Sequence, residues 1–373
     1  MRTKGWIWSC SFSFLLLCGC AQPKVLEEVG LVTTYGYDIS KNGSILGTMV
    51  ELTIDPASPK DVVILESEAL SVRGIRNNAN NKTSKRLASG QLRVIIYGEE
   101  ILKQGRTGIA ETLTSDPSIS DMTYLAMADG TARDLLKLKT EHIPDIGNHL
   151  YKLIDQNTKG RVMPSATLQE VLHNLFSIGK EPILPILKKD GKGEVGFTGV
   201  ALFKESKLVG KINSDQSFYL NLIIDKYKGG NKDVEIKSSK LKPRNQQLNK
   251  TVASLDAVNG SSKIKLINRE KVEFDLDVKV DGRLLEVTSM IDLGNQENIK
   301  LVEKEITKSI KREIEKLIAY CQSKESDAMG FGEIYRSSVR HSNLTDKRWY
   351  KMFKEAKVNV NVDFSVKRTG LNE

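Results

Sequence analysis

The residue of this chain best placed for chemistry is Cys20, at the end of an apolar run near the amino terminus. Basic residues precede the run, Leu17 stands three residues before the cysteine, and Gly19 stands directly before it. A basic start, an apolar stretch and a small residue before the cleavage point are typical of an export signal. The ending resembles a bacterial lipobox. It predicts a signal peptide over residues 1–19 and a mature protein whose first residue, Cys20, carries S-diacylglycerol and N-acyl groups.

Two other interpretations of this segment stay open, an ordinary cleaved signal and a membrane-spanning helix. A span needs about 20 consecutive apolar residues, whereas the run here is shorter and is interrupted by Ser9, Ser11 and Ser13. The lipobox is therefore favoured. It predicts a protein held at a lipid bilayer through Cys20, because each buried CH₂ of an acyl chain contributes roughly 0.8 kcal/mol.

Other chemically capable residues are not arranged as catalytic, cofactor or metal sites require. Residues 191–196 match the letters of the dinucleotide-binding fingerprint, but that motif must follow a strand and open a helix. Here charged residues precede it and a β-rich run follows, which indicates a turn. Paired acids such as Glu99 and Glu100 are common in soluble proteins and do not indicate acid–base catalysis without a cleft. The scattered histidines lack the spacing of a zinc site; they are His142, His149, His173 and His341. We therefore expect no enzymatic activity, catalytic residue, cofactor or metal.

Composition narrows the class of protein further. The chain has 373 residues, 39% of them hydrophobic, and a formal net charge of +9, so a globular protein of two or three domains is expected. For a protein tethered outside a membrane, nucleic acid is a poor candidate as the partner of this basic surface. A generally solvated surface or attraction to an anionic membrane accounts for it better. Beyond Cys20 the mature chain contains one cysteine, Cys321, which excludes an internal disulfide; its place on an apolar helix face predicts a buried thiol.

The first half of the chain alternates strand and helix signals. Residues 92–97 form a nearly continuous apolar run typical of a buried strand, and Thr131 is placed to cap a following helix. A glycine-rich turn after residue 190 predicts a boundary between an N-terminal domain, residues 20–192, and a C-terminal domain, residues 196–373. A further split into two lobes is considered near residues 255–262.

The C-terminal part has clear periodicity. Apolar residues alternate with charged ones in two segments, which predicts strands buried on one face, and the first of these is expected to turn at Asp281-Gly282. Between them, apolar residues recur every three or four positions from about Gln296 to Cys321, which predicts a long amphipathic helix. The expected fold class is α+β, multi-lobed, with mixed sheets and packed helices. In its C-terminal lobe the long helix is expected to lie on an antiparallel sheet.

A series of short motifs in a fixed order gives the chain a family resemblance. The motifs are the lipobox, residues 28–38, residues 92–100, Gly105, residues 114–117, residues 130–136, residues 199–204 with 207–210, residues 327–332, Trp349, Phe353 and the closing strand to Gly370. In this order and spacing the chain resembles the Ger(x)C family, the lipoprotein C subunits of nutrient germinant receptors in endospore-forming bacteria. One departure is Thr114-Ser115-Asp116, where an arginine is expected before the aspartate.

The resemblance implies a non-enzymatic subunit, lipid-anchored on the outer face of the spore inner membrane beside two integral membrane subunits, A and B. It implies a role in assembly or signal coupling when nutrients trigger germination, and it transfers Cys20 alone as a functional residue. For Gly330-Phe331-Gly332 we expect a structural turn between helices. The alternative function is a lipoprotein that binds the nutrient germinant itself, which would require a concave pocket with converging polar groups.

Overall fold

The computed structural model describes residues 28–52, 62–105, 113, 116–138, 143–225, 227–237, 241 and 250–369, without the side chains of the last two. The strands within these residues are β1 (Val29–Ile39), β2 (Ile45–Leu52), β3 (Val62–Ala69), β4 (Arg86–Ala88), β5 (Val94–Tyr97), β6 (Tyr124–Ala128), β7 (Ile183–Lys189), β8 (Val195–Lys204), β9 (Lys207–Asn213), β10 (Tyr227–Ile236), β11 (Thr251–Asn268), β12 (Glu273–Val287) and β13 (Lys357–Thr369). The helices are α1 (Val72–Asn80), α2 (Glu99–Lys103), α3 (Ala132–Leu136), α4 (Ile146–Lys159), α5 (Leu168–Phe176), α6 (Ser214–Ile224), α7 (Gln296–Ser323), α8 (Phe331–Ser338) and α9 (Asp346–Glu355).

The first sheet has the strand order β3-β2-β1-β5-β6-β7-β8-β9, and β4 pairs with β1. Its centre is parallel, from β1 through β5 and β6 to β7, and both flanks are antiparallel. The four residues of β5 are all buried because helices cover both faces of the sheet. Ile95 and Tyr97 pack in the core with α1, α2 and α5, whereas Val94 and Ile96 pack in the core with α3 and α4.

The second sheet has the order β10-β11-β12-β13, and α7 packs on one of its faces. Alternate residues of β12 are buried, as predicted from the sequence. They meet the apolar stripe of α7, whose buried members include Val302, Ile306, Ile310, Ile314, Leu317 and Cys321. The protein is therefore a mixed α+β fold with a long C-terminal helix on a sheet, as predicted.

Two details of the second sheet differ from the prediction. Asp281-Gly282 does not turn the chain: β12 continues to Val287, because β11 pairs with it on one side and β13 on the other through this position. The sheet is also not wholly antiparallel, since β13 runs parallel to β12. The helical connection through α7, α8 and α9 returns the chain to the end of the sheet from which β12 starts, and such a crossover produces a parallel pair.

The predicted domain boundary falls in the turn between β7 and β8. These strands pair with each other, and β8 and β9 complete the first sheet. The glycine-rich residues 191–194 form that turn, as expected, and no helix follows them. The division into residues 20–192 and 196–373, and the further split near 255–262, stay predictions.

Candidate functional site

The one residue for which the sequence predicts a function, Cys20, lies outside the described residues. The remaining motifs fall into two groups that the fold brings together. One group lies at the carboxyl ends of the parallel strands of the first sheet. The other joins the two sheets.

At the carboxyl ends of β1 and β5, three sequence motifs converge on Asp38. Its carboxylate accepts hydrogen bonds from the backbone N–H groups of Ala132 and Arg133, both at 2.9 Å, so it holds the start of α3. Gly98 must lack a side chain here, because a Cβ would lie 2.0 Å from Asp38 Oδ1. Thr131 caps α3 through its hydroxyl, which confirms the predicted cap. The motif residues in this region therefore position the backbone.

Ionic groups beside these strand ends neutralise one another. Lys211 Nζ lies 2.7 Å from Glu99 Oε2 and 3.0 Å from Asp129 Oδ1, and Lys188 Nζ lies 2.8 Å from Asp129 Oδ2. Hydrogen bonds from Lys188 and Lys211 lower the pKa of Asp129 below its usual value. The carboxylate is thus held ionised by fixed cations, an arrangement suited to a structural ion-pair network.

The segment that joins α7 to α8 is built around the buried carboxylate of Asp327. Its Oδ1 accepts from the backbone N–H groups of Gly330 and Phe331, at 2.8 and 3.2 Å. Its Oδ2 accepts from Gly332 N at 2.8 Å and from Trp349 Nε1 at 3.0 Å. Burial raises the pKa of Asp327 to about 6, although these four donors favour the ionised form. The Gly-Phe-Gly run is therefore structural, but it differs from the expected turn: Gly330 is the N-cap of α8, and Phe331 and Gly332 begin the helix, with Asp327 as the acceptor of their N–H groups.

This segment is also where the C-terminal part of the chain meets the first sheet. The backbone of Gly332 packs so closely on Gly179 that a Cβ would lie 2.4 Å from Gly179 Cα. Glu333 N donates to Gly179 O at 3.1 Å, and Glu181 N donates to Asp327 O at 2.9 Å. The α7–α8 connection is thus fixed to the segment that leads from α5 into β7. We call these contacts the junction.

A second buried carboxylate, Glu181, lies in the junction. It accepts a hydrogen bond of 2.5 Å from the hydroxyl of Tyr350 in α9. Burial raises the pKa of Glu181 to about 8, and the Tyr350 hydrogen bond offsets only part of this effect. Lys204 Nζ lies 4.9 Å from the centre of the Tyr350 ring and forms an ion pair with Glu325. Burial thus favours the protonated form of this carboxyl group in the junction.

A polar cleft of about 580 Å³ borders the junction. It lies between α5 and α6, and its polar lining includes Arg161, Glu170, His173, Lys180, Asn221 and Asp225. Arg161 pairs with Asp225, and Asn221 Nδ2 donates to Arg161 O at 3.1 Å. The cleft has the size and the hydrogen-bonding groups to hold a small polar molecule.

Metal and thiol chemistry find little support in the described part of the chain. No group of three or more His, Cys, Asp or Glu side chains there could hold a metal ion; His142 lies outside this part. Cys321 is buried, as predicted, and burial raises the pKa of its thiol to about 12, so it is not a reactive thiolate. Among the described helices, none combines the length and apolar character needed to cross a membrane.

Sequence reasoning placed Asp327, Trp349 and the Gly-Phe-Gly run in motifs but did not predict that they bind one another. It missed Glu181 and Tyr350 altogether. They are 169 positions apart, and nothing in the local pattern of either residue marks it as one of a buried pair.

Comparison with known proteins identifies the family. A family model described as "Spore germination protein N-terminal domain" matches residues 22–189, and one described as "Spore germination B3/GerAC like, C-terminal" matches residues 198–370. The chain belongs to this spore germination family. The resemblance drawn from the ordered motifs is thereby confirmed.

Individual relatives of this spore germination family match the chain over nearly its whole length. Spore germination protein GerQC of Bacillus cereus is 28% identical over 99% of this chain and 100% of its own. Spore germination protein KC of Bacillus subtilis (strain 168) is 21% identical over 96% of this chain and 94% of its own. The crystal structure of the GerBC protein matches with a TM-score of 0.51 at 16% identity and covers 89% of this chain and 96% of that one. This likeness supports a shared fold.

Proposed function

We propose that this chain is the lipid-anchored, non-enzymatic C subunit of a spore nutrient germinant receptor. In this role it acts in assembly or signal coupling with two integral membrane subunits, A and B, on the outer face of the spore inner membrane. The observation that carries the proposal is the extent of the family match, which begins at residue 22, two residues after Cys20. The matched region therefore starts where a mature lipoprotein cleaved before Cys20 would start.

The lipid anchor proposed at Cys20 and the junction together suit a coupling role. A diacylglyceryl group contributes two acyl chains, which suffice for stable anchoring where one chain is marginal. An anchored domain meets membrane partners at a raised effective concentration. Within the domain, the junction fixes the α7–α8 connection to the first sheet through backbone hydrogen bonds. A partner that contacts either the α7–α8 connection or the first sheet would thus move both of them as one packed body.

The proposal is tested by replacing the lipidated residue. Cys20→Ala should release the protein from the spore membrane fraction and abolish the response of spores to nutrients, because the acyl chains can no longer be attached. Cys18→Ala is the matched control, since it removes a cysteine of the signal and leaves Cys20 in place; membrane association and germination should be normal. Normal nutrient germination with a released Cys20→Ala protein would show that anchoring is not needed and would refute the mechanism.

The polar cleft beside the junction favours a second candidate, a lipoprotein that binds the germinant directly. Its volume of about 580 Å³ suits an amino acid or a sugar. Titration calorimetry of the protein against such nutrients separates the candidates. Saturable binding that Lys180→Met weakens would favour capture by the cleft, whereas no heat with any nutrient would favour assembly and coupling.

A further inference from the structure

One end of the second sheet carries exposed cations from two segments that are far apart in sequence. Arg269 and Lys271 lie in the turn that joins β11 to β12, and Arg336, Arg340 and Arg348 lie on α8, after it and on α9. All five side chains are exposed. We call these five residues the basic tip.

The fold holds the two segments together as one surface. The hydroxyl of Tyr335, on α8, donates a hydrogen bond of 3.4 Å to the carbonyl oxygen of Arg269. Arg269, His341 and Arg348 line a common open depression of about 520 Å³. Arg269 of the turn and Arg348 of the helical segment therefore face one depression, and Lys271, Arg336 and Arg340 each stand next in sequence to a residue that lines it.

The charge of the basic tip is not neutralised by ion pairs. No described carboxylate lies within ion-pair distance of any of its five residues, although the charge of Lys271 adds to the hydrogen bond from Lys357 in lowering the pKa of Glu273. Two exposed acids accompany these cations: Glu270, which lines the same depression, and Asp346. Ion pairs begin at the adjoining positions of the same sheet: Lys357 pairs with Glu273 at 2.7 Å, and Lys265 pairs with Asp277 at 2.7 Å. The positive charge thus collects at the tip of the sheet.

An exposed apolar side chain accompanies this charge. Ile267, two residues before Arg269, is 54% exposed, and the partly buried Met352 lines the depression. Basic residues around an exposed apolar group are typical of surfaces that lie on lipid headgroups, where the cations meet phosphates and the apolar group enters the interface.

We propose that the basic tip docks on the anionic phospholipid headgroups of the membrane that holds the tether. The inference rests on the proposed lipid anchor at Cys20. Residues 21–28, the tether that joins Cys20 to β1, span at most about 25–30 Å when fully extended, so the folded part stays close to the bilayer. Attraction to headgroups acts within a Debye length of roughly 8–10 Å at physiological salt. Docking of the tip would fix one orientation of the protein on the membrane, where the tether alone fixes only its distance.

The test uses the full chain with Cys20→Ala, so that acylation does not contribute. Its sedimentation is measured with vesicles of phosphatidylcholine alone and of phosphatidylcholine mixed with phosphatidylglycerol. Each Lys or Arg near an anionic surface strengthens partitioning roughly fivefold. The added changes Arg269→Gln, Lys271→Gln and Arg340→Gln should therefore weaken binding to anionic vesicles about 100-fold. No described hydrogen bond uses these three side chains, so folding, checked by circular dichroism, should be unchanged.

A matched control removes the same charge from the first sheet, with Lys41→Gln and Lys192→Gln in exposed turns and Lys189→Gln at the exposed end of β7. The proposal predicts that this control binds anionic vesicles within about threefold of the parent and that added salt weakens both. Equal losses in the two variants would overturn it, as would equal binding to neutral vesicles. If the chain with Cys20→Ala alone binds no vesicles, the proposal is also overturned, and an acidic protein becomes the candidate partner of the basic tip. These outcomes are separate from the fate of the anchor, which membrane fractionation of the chain with Cys20→Ala alone decides.

Discussion

The buried carboxylate of Asp327 is expected to hold the turn between α7 and α8, and two substitutions should destabilise the protein to different degrees. The four donors around it divide evenly between its two oxygens. Asp327→Asn keeps one acceptor oxygen and turns an amide NH₂ toward the other two donors. Asp327→Ala leaves all four donors without an acceptor. Each buried donor left without a partner costs about 1–3 kcal/mol.

The cost of ionising the buried Asp327 carboxyl group opposes this loss of stability. The rise of the pKa of Asp327 from 3.8 to about 6 means that ionising the buried carboxyl group costs about 3 kcal/mol more in the folded protein than in the unfolded chain. Both substitutions remove that cost at pH 7. With about 2 kcal/mol for each donor, the net loss is about 1 kcal/mol for Asp327→Asn and about 5 kcal/mol for Asp327→Ala. The larger loss would be a substantial part of a typical folding free energy of about 5–15 kcal/mol.

The free energy of unfolding is measured by urea titration at pH 7, followed by the fluorescence of Trp349 and by circular dichroism. Asp363→Asn serves as the control, because that side chain is exposed on β13 and its change should stay within about 0.5 kcal/mol. If Asp327→Ala lies within about 1 kcal/mol of the wild type, or if both Asp327 variants lose the same amount, the four-donor account is wrong.

Three further predictions concern the junction and α3. Gly332→Ala should lower the unfolding free energy by about 1–3 kcal/mol through overpacking, whereas Gly191→Ala, whose added Cβ meets nothing within 4 Å, should have little effect in the same titration. Ionised Glu181 destabilises the folded protein because its charge is buried. The stability that the protonated side chain contributes is therefore fully present below its unfolded pKa near 4.5 and is lost as the pH rises to about 8. Glu181→Gln should flatten the pH dependence of the urea midpoint over that range, and an unchanged slope would count against a buried titrating carboxyl group. Thr131→Ala should cost about 1 kcal/mol by removing the cap of α3, and a thermal melt that matches the wild type would contradict this.

The elements that the sequence predicted correctly depend on local periodicity. Alternating apolar residues placed β12 on a core face, and the spacing of three and four placed α7 on the sheet with Cys321 buried. These patterns are readable because neighbouring residues on one element share one environment. The same local reasoning failed at Asp281-Gly282, whose residue types favour a turn. There the ladders to both neighbouring strands outweigh the turn preference.

The sequence by itself determined the family, the likeness of the Cys20 segment to a lipobox and the periodic elements, because all of these are encoded in the types and order of nearby residues. Only the tertiary structure decided which distant groups meet. It placed Glu181 against Tyr350, Asp327 against Trp349, and the turn of Arg269 beside α8. Such pairs form when the packing of whole helices and sheets brings segments together, and the residues of each pair carry no periodic signal that names the partner. The positions of the junction and the basic tip were therefore fixed by packing between distant segments.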